Sequence, residues 1–301
     1  MTDQADGLRS IVQSDASTGR KALMDSNRKL KFPKVIAVTS GKGGVGKTNI
    51  VGNMAVALQN SGKRVVIVDA DVGLANIDII FNIQSKYDIS HVVSGEKKLA
   101  DIMITTQHGI KIVPGGSGFS HLTNLAEGEK LNLLSEFETL QNQADIVFVD
   151  TGAGISSNVL YFNAGADECI VIATKEPTSI TDAYALMKVL SNDYKVKYFK
   201  LIVNMVKSEN EAKLVYSSLS GALDKFLKDV VLEYTGYIPM DDGMQRAVLK
   251  RKLVLDIDKK AEVSKSLEKI ALKVGSSEIR SSSNGNIKFF MNRVLETVTD
   301  N

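Results

Sequence analysis

Cysteine is almost absent: Cys169 stands alone among 301 residues. It cannot close an internal disulfide, which suits a reducing compartment. Nor can it supply the CxxC pair on which a carrier of metal clusters relies. Long apolar runs are missing too, and none approaches the ~18–20 residues that cross a bilayer as a helix. The opening MTDQADGLRS has no apolar stretch, so no secretory signal is expected. No segment repeats. These absences point to the cytoplasm and exclude a disulfide scaffold, a collagen and a wholly disordered chain.

What is present is ordinary for a globular protein, with 44% hydrophobic and 24% charged residues. The length accommodates one large α/β domain. A net charge of +2 conceals an asymmetry: residues 1–34 carry +3, residues 246–301 carry +5, and the centre carries −6. An acidic centre argues against nucleic acid coating the whole surface, while basic ends allow an anionic surface to be met there. DNA is therefore not an expected partner; its one candidate surface is Lys250-Arg251-Lys252 with Lys259-Lys260.

Continuous β-branched runs recur at Val35–Val38, Val65–Val68, Ile110–Val113, Ile146–Val149, Cys169–Ala173, Leu201–Val203 and Val231–Ile238. Runs that do not alternate fit strands buried on both faces. Helical patterns lie between them, over Ile50–Leu58, Lys130–Leu140, Ile155–Phe162, Thr181–Leu190, Glu211–Leu227 and Met244–Leu249. The alternation predicts a doubly wound, mostly parallel α/β sheet with helices on both faces. Residues 1–34 read as a tail, 35–274 as one domain, 275–286 as a Ser/Gly/Asn-rich linker and 287–301 as a separate helix.

Gly41-Lys42-Gly43-Gly44-Val45-Gly46-Lys47-Thr48 fits G-x-x-x-x-G-K-[ST] and sits between a strand and a helix, the context the motif requires. Its glycines let backbone N–H groups converge on phosphate oxygens, and the helix start adds free donors and a positive end. Lys47 supplies charge at the β/γ-phosphates and Thr48 a hydroxyl to Mg²⁺. Asp69 and Asp71 follow an apolar strand, where a carboxylate faces the nucleotide crevice and can orient a water or hold a magnesium-bound one. Asp69 can equally cap the turn. A second apolar strand ends in Asp150, placed to bind Mg²⁺ through water, with Gly154 four residues on to sense a γ-phosphate through its N–H.

KGGVGKT, with a second lysine near its start, resembles the deviant phosphate loop of the MinD/ParA family of P-loop ATPases. The resemblance implies ATP and ADP as ligands, held by Gly43 to Gly46, Lys47, Thr48 and Asn49. It implies Mg²⁺ near Thr48, Asp69, Asp71 and Asp150, with Asp71 positioning the attacking water. It also implies an ATP-bound homodimer in which Lys42 reaches the partner's nucleotide. Asn204 takes the place of an adenine-reading amide, and Ile238-Pro239-Met240-Asp241 resembles a base-lining segment. A plain turn explains Pro239 and Asp241 nearly as well. Two further stretches, Asp3-Gln4-Ala5 with Leu8-Arg9, and Glu176-Pro177-Thr178-Ser179-Ile180-Thr181-Asp182-Ala183-Tyr184, resemble the FlhG group within that family. That group regulates the number and placement of flagella. This implies that Gln4, Leu8 and Arg9 meet an FlhF-type GTPase and stimulate it, that flagellar switch (C-ring) proteins are partners, and that the protein is reversibly peripheral at the inner face of the cell membrane.

Ile287, Phe290, Met291, Val294 and Leu295, with Val298, follow i, i+3, i+4, i+7, i+8, i+11 and so share one helical face. Lys288 and Arg293 add positive charge. From periodicity alone the plainer reading is packing on the core. The resemblance and the preceding linker favour an interfacial helix on anionic membrane, which can dock on the core in the nucleotide-free or ADP state.

Overall fold

Strands made of continuous Val and Ile have no polar face, so they must be covered on both sides. A computed structural model describes residues 32–71, 76–116, 118–119, 125–227, 229–278 and 287–299, and from Pro33 onward they belong to one compact unit. Gln4, Leu8 and Arg9 lie outside the described residues, as does most of the 275–286 stretch. Eight strands form a single sheet: β1 (Lys34–Ser40), β2 (Val65–Ala70), β3 (Ile104–Thr105), β4 (Lys111–Val113), β5 (Ile146–Ala153), β6 (Glu168–Ala173), β7 (Tyr198–Val206) and β8 (Val231–Pro239). Their order is β3-β4-β2-β5-β1-β6-β7-β8, with every pair parallel except β3 with β4. The chain leaves β1 toward β2 on one side and reaches β6 on the other, so the order reverses around β1 and a crevice opens above its carboxyl end.

The helices are α1 (Lys47–Asn60), α2 (Asn76–Phe81), α3 (Ile89–Val93), α4 (Leu99–Ile102), α5 (Glu127–Glu138), α6 (Ser157–Gly165), α7 (Pro177–Asn192), α8 (Glu209–Phe226), α9 (Asp242–Leu249), α10 (Val254–Ile257), α11 (Glu262–Ser276) and α12 (Ile287–Thr299). Successive strand residues supply opposite faces. Ile36, Val38, Ile67 and Phe148 pack with Met54 and Leu58 of α1 and Leu267 and Val274 of α11. Val35, Val66, Val68 and Val149 pack with Phe137 of α5, Phe162 of α6 and Phe290, Met291, Val294 and Leu295 of α12. A third cluster joins β6 and β7 to α7 and α8.

Short α2, α3, α4 and α10, the antiparallel β3 and the long α11 are additions to the pattern read from sequence. α11 buries Val263, Leu267, Ile270, Ala271 and Val274, spaced i, i+4, i+7, i+8, i+11, a legible helical face that precedes no strand. It runs through Ser276, two residues into the presumed linker, and its end is anchored. Lys34 Nζ donates to the Val274 and Ser277 carbonyls, while Glu168 pairs with both Lys34 and Lys200 at 2.7 Å.

α12 lies on α5 and α6. Phe290, Met291 and Val294 are fully buried and Leu295 nearly so. Each such side chain removes about 1.5–3 kcal/mol of apolar exposure. Phe290 stacks on Phe162 with ring centroids 6.2 Å apart. Arg293 reaches Asp167 at 3.3 Å, and Asp167 also accepts the Val35 N–H at 2.9 Å. The described part of the stripe, expected at a membrane, is thus core in this single chain; the side chain of Ile287 lies outside the described residues.

The seat depends on Gly165, where an added Cβ would stand 2.7 Å from Val294 Cγ2 and 3.1 Å from the Phe290 carbonyl. Gly165→Ala should lift α12 and leave the sheet folded. Limited trypsinolysis should then cut at Arg293 several-fold faster than in the unaltered protein, with an unchanged core fragment. Equal cleavage rates would show that the close approach does not hold the helix down.

Candidate nucleotide site

β1 ends at Ser40 and α1 begins at Lys47, leaving the glycine-rich loop at the crevice. Gly46 has φ +89° and caps α1 with no side chain, and no acidic residue occupies the first turn. The first N–H groups of α1 are therefore free of a side-chain cap and free of repelling charge. Gly41 is where the loop meets α7: a side chain there would collide with the backbone of Asp182 and Ala183. The Glu176–Tyr184 stretch thus supports the phosphate loop from behind.

A cavity of about 450 Å³ opens above the loop, lined by Gly43, Gly44, Gly46, Lys47, Thr48 and Asn49, and across from them by Asp71, Asn76, Ile79, Ala153, Arg251 and Lys252. A larger cavity, about 590 Å³, lies at the opposite end of the sheet, but its lining includes the ion pairs Lys200–Glu168 and Arg293–Asp167 and no glycine-rich loop. Phosphate chemistry belongs to the smaller one.

Lys47 is buried and its ammonium donates to Ser40 Oγ at 3.1 Å. Burial lowers its pKa, and the Asp150 and Asp71 charges oppose the shift. Strand register sets Asp69 directly beside Asp150. Burial pushes the Asp69 carboxyl up to about 8, with the Asp150 charge adding to the rise. Burial likewise pushes Asp150 up to about 7, opposed by the Thr48 hydroxyl and the Lys47 charge. Neither Asp150 oxygen has a hydrogen-bond partner of normal geometry among the described residues. Buried acceptors left so are costly and mark a place where something else binds. Among the described residues no group of three or more His, Cys, Asp or Glu could cage a metal ion. The Thr48 hydroxyl and the Asp150 carboxylate are oxygen donors that fit Mg²⁺, which keeps most of its shell as water and phosphate oxygen.

The structure brings Lys47, Thr48, Asn49, Asp71 and Asp150 together. Gly152 neighbours Asp71: a Cβ there would be 3.4 Å from Asp71 Oδ1. Asp69 lies deeper, and its Oδ1 accepts the Asp71 N–H at 3.2 Å, so it braces the turn as well as charging the site. Val45 is buried, and its carbonyl accepts from Asn204 Nδ2 at 2.8 Å, while Asn204 Oδ1 accepts the Met205 N–H. Asn204 therefore ties the loop to β7 here. Asp241 caps α9 by accepting the Gly243 N–H at 2.6 Å, and Pro239 ends β8; neither lines the 450 Å³ cavity. Lys42 turns away to Glu176 at 2.6 Å and to Thr178. Gly154 has φ +88° and gives its N–H to the Ser40 carbonyl at 2.9 Å. Sequence reasoning singled out Arg251 and Lys252 only as part of a candidate DNA surface; the structure places them in the wall of the nucleotide cavity.

A glycine-rich loop at the start of a helix, buried lysine, and two strand-end carboxylates in a doubly wound sheet define a P-loop nucleotide-binding protein. Residues 36–254 match the CobQ/CobB/MinD/ParA nucleotide-binding domain. The chain is 37% identical over 263 residues to the antiactivator FleN of Pseudomonas aeruginosa, covering 87% of this chain and 94% of that protein. It is 35% identical over 302 residues to the flagellum site-determining protein YlxH of Helicobacter pylori, covering 98% and 99%. The septum site-determining protein MinD of Pyrococcus horikoshii, solved with Mg-ADP, has the same fold at 22% identity, a TM-score of 0.66, and coverage of 81% of this chain and 96% of that one. The chain belongs to the CobQ/CobB/MinD/ParA nucleotide-binding family and, within it, to the FlhG group.

Gly46→Ala tests the loop geometry. An alanine would have to hold φ +89° with its Cβ 2.7 Å from Asn204 Nδ2. Such strain costs of order 1–3 kcal/mol, so ADP affinity by calorimetry should fall about tenfold or more while circular dichroism stays unchanged. Undiminished affinity would mean that the loop binds in another shape.

Proposed function

We propose that this chain is an ATP-hydrolysing switch that dimerises around its nucleotide and regulates flagellar number or placement. The observation that carries the reading is the buried lysine set among Asp71, Asp150 and the glycine-rich loop. Lys47 neutralises the β/γ-phosphates of its own nucleotide. Thr48 and Asp150 would hold Mg²⁺, which when bound draws charge from the phosphate oxygens. Asp71 accepts a hydrogen bond from water and aims it at the γ-phosphorus; as the water oxygen bonds to phosphorus the bond to the bridging oxygen breaks, ADP and phosphate leave, and the water's proton passes to the phosphate oxygens or solvent. Asn204, Pro239 and Asp241 are assigned to the base on the family resemblance, and Asn204 would have to leave the Val45 carbonyl to read it.

Lys42 is assigned to the partner's nucleotide. Its pair with Glu176 supports this, because both side chains are half exposed and such pairs are worth only about 0–1 kcal/mol. Dimerisation can therefore release the lysine at little cost. Gly154 can donate to a γ-phosphate only by leaving the Ser40 carbonyl, which makes its peptide a two-position element. α6 begins three residues later and forms part of the seat of α12. Movement at Gly154 is thereby linked to release of the stripe for an anionic membrane surface. No described helix is long and apolar enough to cross a membrane, so that contact is interfacial.

Asp71→Ala should bind ATP and hydrolyse it ~10²–10⁴-fold more slowly, accumulating as dimer. Near-normal single-turnover hydrolysis would remove Asp71 from the reaction.

The GTPase-stimulating part of the flagellar reading rests on the N-terminal residues. A peptide of residues 1–23 should accelerate GTP hydrolysis by an FlhF-type GTPase, and Gln4→Ala or Arg9→Ala should weaken that effect while leaving this protein's ATP binding intact. If neither peptide nor full-length protein raises the GTPase rate, a plain positioning ATPase of the ParA kind becomes the better description.

A further inference from the structure

A second, smaller cavity of about 380 Å³ sits behind the nucleotide cavity, between α2, the β3–β4 turn and the α9–α10 connection. Lys250, Arg251 and Lys252 line it. None of the three has a carboxylate partner among the described residues. The one acidic group in the lining is Asp256, and it is committed to His108 Nε2 at 3.2 Å. Thr106 also lines the cavity, is 6% exposed, and its hydroxyl has no hydrogen-bond partner among the described residues. Asn82, Thr105 and Gln107 add polar groups, and one wall is apolar: Ile80, Ile83, Leu253, and Phe81 edge-on to His108 with ring centroids 6.5 Å apart.

Three uncompensated cations around one cavity repel one another, and a buried hydroxyl without a partner is a cost with no structural return. A phosphate group removes both: its oxygens take charge-assisted bonds from Arg and Lys and accept from the hydroxyl. The volume suits a small molecule, and the apolar wall suits a ligand with a carbon body behind its phosphate. Arg251 holds φ +53° to present this triplet.

We propose that this cavity is a second anion site that takes a phosphate-bearing small molecule or headgroup, separate from the nucleotide's phosphates. Arg251 and Lys252 line the nucleotide cavity as well, so the test uses Thr106 and Lys250, which do not.

The chain has three histidines, so the ring signals of a ¹³C-histidine-labelled full-length protein are few, and His108→Gln assigns the relevant one. With the nucleotide site saturated by Mg-ADP and ionic strength held constant, inorganic phosphate should shift the His108 signal saturably and leave His91 unmoved. Thr106→Val and Lys250→Gln should each weaken this response about tenfold or more, as expected for a lost hydrogen bond to a charged group, and Thr106→Ser should restore it. A parallel arm adds phosphatidylglycerol vesicles with neutral vesicles as control: a His108 response confined to phosphatidylglycerol assigns the phosphate to a lipid, and a response to free phosphate assigns it to a soluble ligand. No movement of His108 with either source overturns the site. So does a shift equal in wild type and both variants, or a response to duplex DNA with none to phosphate, which would make the triplet a nucleic-acid surface.

Discussion

α6 is buried over most of its surface. Val159, Leu160, Tyr161, Phe162, Asn163 and Gly165 are all buried within nine residues. A helix enclosed to this extent cannot turn or slide far without displacing a neighbour, because interiors are close-packed. One end of α6 follows the Gly152–Gly154 turn beside Asp71. The other end holds Phe162 and Gly165 against Phe290 and Val294. α6 therefore adjoins both the nucleotide crevice and the C-terminal helix, and the proposed switch depends on that contact.

The crevice itself is electrostatically unfinished. Asp69 and Asp150 lie side by side, both pushed far above the ordinary carboxylate range by burial, and Lys47 is the one buried cation drawn to Asp150 and Asp71. A core built for stability alone would not keep two desolvated acids in register. A site that awaits a divalent cation and a polyphosphate has reason to. The asymmetry between the two acids is also informative. Asp69 is tied to the Asp71 N–H, whereas Asp150 has only the Thr48 hydroxyl and the Lys47 charge near it and no hydrogen bond of normal geometry among the described residues, so Asp150 is the better placed to meet a metal-bound water.

Much of this was legible before any coordinates. Continuous β-branched runs announce strands buried on both faces, and the glycine-rich run with Lys47 and Thr48 announces its own chemistry. Asp71 and Asp150 stand out because an acid at the end of an apolar strand needs a reason. Other features depend on residues far apart in the chain. The backing of Gly41 by Asp182, the bond from Asn204 to Val45 and the parking of Lys42 on Glu176 are invisible to local pattern. The docking of α12 was undecidable from its stripe, since Phe290, Met291, Val294 and Leu295 offer the same face to lipid and to protein. What settles it in this chain is a matching seat on α5 and α6, with Gly165 small enough to admit Val294. α11 was missed although its spacing is regular, because no strand follows it to frame it as a crossover.

The central claim is that α6 couples the phosphate end of the crevice to α12. Amide hydrogen exchange, followed segment by segment in the full chain with and without Mg²⁺ and a non-hydrolysable ATP analogue, tests it most directly. The account predicts slower exchange across residues 41–49 and 152–156 together with faster exchange across 287–299. Protection of the phosphate loop with unaltered exchange in 287–299 would contradict it.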